Sequence, residues 1–203
     1  MPKQPPQIAV VAMQGDFEKH IARMNELGAT AYPARLPADI GRADGVILPG
    51  GESTTIGKLM RRYGVDAAIV DAHAAGKPIY GTCAGMILLA NQIAEGTAER
   101  GGQNILGLLD INVARNAFGR QVDSFETLID APLVTGEAEP PLEAVFIRAP
   151  VVIRAGSGVD ILARYQDSIV FVRQGSILGT SFHPELTSDS RVHRYFLSMV
   201  TGR

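Results

Sequence analysis

The sequence predicts an α/β fold of three layers, α/β/α, in which helices cover both faces of a mixed, mostly parallel sheet. Three observations carry that prediction. Short, continuously apolar runs, residues 8–13 (IAVVAM) first among them, suit central strands covered on both sides. These runs alternate with amphipathic helical stretches as far as Ala90, and a β-α-β-α rhythm of this kind belongs to doubly wound sheets. One strand-to-helix junction, Tyr80-Gly81-Thr82-Cys83-Ala84-Gly85-Met86, has the form of a nucleophile elbow built on a thiol.

The elements follow in order. Residues 1–7 (MPKQPPQ) are Pro-rich, lack the apolar segment of a secretory signal, and read as a disordered lead-in to one domain spanning residues 8–203. After the first strand, Gln14-Gly15 turns the chain. Asp16 is placed to cap a helix whose apolar face is Phe17, Ile21, Met24 and Leu27, with Gly28 as its stop. His20 shares that helix and reads as a surface or packing histidine, because no acid or nucleophile recurs beside it. Residues 29–34 form a second, weaker strand and residues 44–48 a third. That third strand ends in Pro49-Gly50-Gly51-Glu52-Ser53, where Ser53 is expected to cap a helix with Ile56, Leu59, Met60 and Tyr63 inward and Gly64 at its end. Asp66 opens a further helix closed by Gly76, and residues 77–80 read as a short strand leading into the elbow, after which residues 86–90 read as the start of a buried helix.

Beyond residue 103 the pattern changes to short β-prone runs at residues 111–113, 125–128, 144–147, 159–162 and 169–172. They predict partly antiparallel strands that extend the sheet. Residues 95–104 are polar and Gly-rich and read as a loop. The chain closes with an apolar run at residues 177–182, then His183-Pro184-Glu185, then a helix carrying Val192, Tyr195, Phe196 and Met199 on one face.

Composition narrows the function. With 203 residues, 46% of them hydrophobic, the chain is large enough for a full core. A formal net charge of −2 offers no electrostatic footprint for nucleic acid or anionic membrane. No apolar run approaches the ~20 residues of a membrane helix. One cysteine excludes an internal disulfide framework and fits a reducing compartment, the cytoplasm.

A lone cysteine is ordinarily a small buried hydrophobe. Cys83 differs because Gly81 and Gly85 flank it, giving the room that a strained strand-to-helix turn requires. The turn sets Cys83 at a helix N-terminus, where the dipole favours a thiolate, and frees the amide of Ala84 to hold an oxyanion. A thiol hydrolase needs a base and an acid that orients the base. His183-Pro184-Glu185 supplies both: in an extended stretch, residues two apart point the same way. The Gly50-Gly51 amides form an anion nest, and Gly51 N–H is placed to complete the oxyanion hole with Ala84. The loop is not a phosphate-binding P-loop, since the Lys-Ser/Thr spacing is absent. No Cys/His cluster offers a metal site, and the chemistry requires neither metal nor cofactor.

Gly-x-Cys-x-Gly followed about a hundred residues later by His-Pro-Glu resembles the class I glutamine amidotransferases, whose fold is flavodoxin-like. The blocks at residues 48–55 (LPGGESTT), 81–85 (GTCAG), 115–121 (RNAFGRQ), 146–150 (FIRAP) and 181–186 (SFHPEL) narrow the resemblance to the glutaminase subunits of pyridoxal 5′-phosphate synthase, the PdxT/SNO family. The similarity runs from Ile8 to about Met199; the Pro-rich lead-in and extra polar residues at 99–103 depart from the pattern without touching a motif. The resemblance implies Cys83 as nucleophile, His183 and Glu185 as relay, and L-glutamine contacts at Gly51, Glu52, Ser53, Arg115, Ile147 and Arg148. A buried amino acid needs partners for both charges: Glu52 suits the ammonium, and Arg115 or Arg148 the carboxylate. The resemblance also implies a partner, the (β/α)₈-barrel synthase subunit of the PdxS/SNZ family, which receives the ammonia and makes the cofactor as its product. Alternatives are a glutaminase for another synthase, such as imidazole glycerol phosphate synthase, a thiol protein of another kind, or a non-catalytic module that docks a partner.

Overall fold

The computed structural model describes residues 4–94, 103–115, 124–136 and 138–202. In chain order the first half comprises β1 (Gln7–Val11), α1 (Phe17–Glu26), β2 (Thr30–Ala34), α2 (Pro37–Gly41), β3 (Gly45–Leu48), α3 (Ser53–Tyr63), α4 (Val65–Ala74), β4 (Ile79–Thr82), α5 (Ala84–Leu89) and β5 (Ala90–Ile93). The second half comprises β6 (Leu109–Ala114), β7 (Ser124–Ile129), α6 (Pro132–Thr135), β8 (Leu142–Ile147), β9 (Val151–Ala155), β10 (Asp160–Tyr165), β11 (Ser168–Gln174), β12 (Ile177–Thr180), a 3₁₀ turn (Pro184–Leu186) and α7 (Arg191–Thr201).

One large sheet runs β2-β1-β3-β4-β12-β11-β9-β6-β5, with β10 paired to β11. From β2 to β12 every pairing is parallel; β11 and β9 are joined to it antiparallel. The apolar runs become its centre for a simple reason. Alternate residues of a strand face opposite sides. Thus Ala9 and Val11 enter one core while Ile8 and Val10 enter the other, and the same split separates Val46 and Leu48 from Ile47. A strand buried on both faces must be apolar throughout. Ile56 and Met60 of α3, Val65 and Ile69 of α4, and Met86 and Leu88 of α5 close the first core. Met24 of α1, with Val192 and Phe196 of α7, closes the second. These are the three expected layers.

Several local expectations are corrected. Glu52, not Ser53, is the N-cap of α3. Tyr63, at the last turn of that helix, is exposed rather than inward. The run at residues 125–128 does not extend the main sheet: among the described residues β7 pairs only with β8, as a separate two-stranded antiparallel sheet. The link between β6 and β11 is instead β9, which lies outside the β-prone runs identified above. β1 opens at Gln7, whose carbonyl accepts from Asp44 N–H. Residues 1–3 of the lead-in, most of the 95–104 loop and residues 116–121 of the RNAFGRQ block lie outside the described residues. Among the described residues, no helix is long and apolar enough to cross a membrane.

Candidate active site

Parallel strands side by side bring their carboxyl ends to one edge, the usual place for ligands in such sheets. Here β1 delivers Gln14-Gly15, β3 delivers Gly50-Gly51, β4 delivers Cys83, and β12 delivers His183. Together with Asp16, Glu52, Ser53, Ala84, Ile87, Arg115, Ile147 and Arg148, they line a cavity of about 360 Å³. Every expected site residue lines it except Glu185, which lies behind His183.

The elbow is strained as its sequence implies. Cys83 adopts φ 48°, ψ −102°, outside the ordinary regions for a residue with a side chain. Two contacts hold it there. Cys83 N–H donates to Thr180 O at 2.7 Å, tying β4 to β12 at the turn. A Cβ on Gly85 would stand 2.0 Å from the carbonyl oxygen of Leu48, so only glycine lets the helix approach β3. Cys83 then caps α5, its Sγ 3.8 Å from the carbonyl oxygen of Ile147. The next residue, Arg148, is also at positive φ, 44°.

His183 and Glu185 meet, though not along a strand. β12 ends at Thr180, and His183 caps the 3₁₀ turn that contains Glu185, with Pro184 at its first position, where no N–H is needed. His183 Nδ1 and Glu185 Oε1 lie 2.7 Å apart, both residues buried. Burial pushes the imidazole down, but hydrogen bonding to Cys83 and then to Glu185 outweighs it, raising His183 to about 10. Burial likewise pushes Glu185 up, yet the charge of His20 and the hydrogen bond of His183 leave it well below the usual carboxylate range. With Glu185 on Nδ1, Nε2 is the nitrogen left for the thiol.

The Gly50-Gly51 loop is shaped by its neighbours. A Cβ on Gly50 would lie 2.3 Å from His183 Cε1, and Gly51 sits at φ 150°. Gln14 Oε1 accepts from Glu52 N–H at 2.7 Å, which ties the end of β1 to the loop. Glu52 accepts backbone N–H bonds from Thr54 (2.9 Å) and Thr55 (2.7 Å) at the start of α3, and Arg115 Nη2 lies 3.8 Å from its Oε1. Burial lifts Glu52, but the Thr55 hydroxyl and the backbone donors outweigh that and lower it to about 2.

Sequence reasoning missed His20. It is wholly buried, and its Nε2 lies 3.4 Å from Glu185 Oε2. An acid does stand beside it, delivered from the far end of the chain. One signal was available: positions 17, 20, 21 and 24 follow helical spacing, which puts His20 on the inward face of α1.

A profile of the SNO glutamine amidotransferase family matches residues 10–202. The chain is 51% identical over 195 residues to a protein of Parafrankia sp. (strain EAN1pec) named pyridoxal 5′-phosphate synthase subunit PdxT, covering 96% of this chain and 93% of that one. It is 52% identical over 193 residues to the protein of the same name from Herpetosiphon aurantiacus, covering 95% and 99%. A solved structure described as a glutamine amidotransferase superposes with a TM-score of 0.86 at 46% identity, covering 96% of this chain and 98% of that one. A putative GMP synthase protein from Thermoplasma acidophilum shares the fold at a TM-score of 0.70 and 18% identity, covering 98% and 96%.

Proposed function

The chain belongs to the SNO glutamine amidotransferase family, and from that premise we propose a mechanism built on Cys83, His183 and Glu185. The chain is the glutaminase subunit of a pyridoxal 5′-phosphate synthase, releasing ammonia from L-glutamine for a synthase partner. The observation that supports the mechanism is a thiol and a raised imidazole lining a cavity with room for an amino acid, with a buried carboxylate hydrogen-bonded to that imidazole.

In the first half-reaction Cys83 passes its thiol proton to His183 Nε2, and its Sγ attacks the side-chain carbonyl carbon of glutamine. The oxyanion forms against the amides of Ala84 and Gly51. His183, held protonated by its two partners, gives its Nε2 proton to the leaving nitrogen, and a γ-glutamyl thioester remains with free ammonia. Once the sulfur is acylated, the largest contact that raised His183 is gone. The imidazole then falls toward the range of a base and takes a proton from water, which attacks the thioester and releases glutamate. Glu185 orients the ring throughout and offsets its charge. Glu52, Ser53, Ile147, Arg115 and Arg148 hold the rest of the substrate, an arginine pairing its α-carboxylate.

Free ammonia is protonated and lost in bulk water, so the partner must take it directly. We assign that role to a (β/α)₈-barrel synthase subunit of the PdxS/SNZ family, and the site of action to the cytoplasm, where a thiol nucleophile stays reduced. The test is Cys83→Ser assayed for glutamine hydrolysis with the synthase partner present. Turnover should fall by at least ~10³-fold with the fold retained by circular dichroism. Wild-type turnover would remove Cys83 from the mechanism.

A further inference from the structure

Behind the triad lies a second layer of buried polar side chains that the mechanism above does not use. His20, on α1, and His193, on α7, are both fully buried between their helices and the sheet. His20 Nδ1 and His193 Nε2 are 2.9 Å apart. On the other side of the ring, His20 Nε2 lies 3.4 Å from Glu185 Oε2 and 3.3 Å from Thr82 Oγ1. Glu185 itself has a fully buried side chain, and only its Oε1 is engaged by His183. A buried carboxylate with one oxygen left without a donor is costly.

From this geometry we propose that His20 is a positioning residue for the triad: it carries a proton on Nε2 and donates it to Glu185 Oε2, fixing the carboxylate that orients His183. The inference rests on the triad reading. A charged His20 carries that proton in any case, whereas a neutral His20 has two tautomers. With the proton on Nδ1, that nitrogen donates to His193, and Nε2 presents a lone pair to a buried anion. With the proton on Nε2, both oxygens of Glu185 have donors, and His20 Nδ1 accepts from His193 Nε2–H. Electrostatics in a low-dielectric interior favours the second. His193 supports the assignment, because burial first, then the neighbouring His20 and Arg23, lower it to about 3, so it stays neutral. Thr82 Oγ1 serves as a further acceptor for His20. In this arrangement α7 sets His20, His20 sets Glu185, Glu185 sets His183, and only His183 touches the reacting atoms.

The direct test is nitrogen-15 NMR of the full-length chain labelled at histidine. A protonated His20 Nε2 is the expected result; a bare Nε2 overturns the proposal, and this holds whether or not any variant folds. The kinetic test compares His20→Leu with His20→Gln, both with the synthase partner bound. Gln restores an N–H near the place of Nε2, whereas Leu keeps bulk and removes the donor. His20→Leu should lose roughly 10- to 100-fold in kcat, the range typical when an outer hydrogen bond to a functional side chain is removed, with KM for glutamine little changed. His20→Gln should recover most of that loss. Wild-type kcat in His20→Leu, or no recovery in a folded His20→Gln, would overturn the positioning role. An inactive wild-type chain would instead count against the triad reading, which the NMR result does not depend on.

Discussion

Gly50 and His183 are in contact so close that a single methyl group on the glycine would lie 2.3 Å from the imidazole Cε1. The loop that carries the proposed oxyanion donor and the ring that carries the proton are therefore one packed unit. Gly50→Ala must push one of them aside. A displacement of about 1 Å at a reacting group can cost ~10²-fold in rate. We expect kcat to fall by at least that much while the thermal midpoint moves by only a few degrees. Unimpaired turnover would show that the loop yields without disturbing the site.

The two members of the relay should differ in weight. In the proposed mechanism His183 moves protons in both half-reactions, whereas Glu185 orients and offsets charge. His183→Asn is expected to lose ~10⁴-fold or more in kcat, and Glu185→Gln at least about tenfold less than that. Steady-state glutaminase assays at saturating synthase partner measure both. Equal losses would mean that Glu185 takes part in the proton transfer itself.

Gln14 connects β1 to the catalytic loop through its 2.7 Å hydrogen bond with Glu52 N–H. Glycine peptides flip readily, and a flipped Gly50-Gly51 peptide would aim a carbonyl at the developing oxyanion. We expect the isolated chain to be a poor glutaminase and the synthase to hold the active orientation, with kcat/KM rising by ~10²–10³-fold, the worth of one oxyanion donor. Gln14→Ala should bind the synthase and blunt that rise. A full response in Gln14→Ala would take Gln14 out of the transmission.

Glu52 ties acid stability to the start of α3. Its carboxyl is lowered from 4.5 to about 2, so its contribution is present above pH 4.5 and lost as pH falls through about 2. At neutral pH, Glu52→Ala should destabilise the chain by about 1 kcal/mol through the lost helix cap. In urea unfolding the gap between wild type and variant should narrow as pH falls below 4.5. A gap that stays constant across that window would mean that the charged carboxylate is not the capping group.

Much of this architecture was legible in the residues. Apolar runs located β1 and β3, the elbow pattern located β4, and periodic apolar faces located α1, α3 and α7. The elbow was legible because Gly81 and Gly85 flank Cys83 in a pattern that a strand or helix would not need. What was misjudged was local in cause. Ser53 is a common cap, but the loop geometry puts the cap one residue earlier, where the longer Glu52 side chain reaches the amides of Thr54 and Thr55. An extended stretch would align His183 and Glu185 along a strand; a 3₁₀ turn instead brings them together by bending the chain.

The sequence by itself determined the strand and helix repertoire, the thiol at the tip of a strained turn, and the spacing of the histidine and glutamate that attend it. These are properties of neighbouring residues, set by side-chain period, backbone sterics and the φ that glycine relieves. Which distant residues meet was decided only by the tertiary structure. β12 pairs with β4 in the register Thr180 opposite Thr82, and that pairing brings the turn bearing His183 to Cys83. The packing of α1 and α7 beneath the same edge puts His193 against His20 and His20 against Glu185. No local period encodes strand order or helix docking. They follow from the joint burial of two apolar faces, which is a property of the whole sheet.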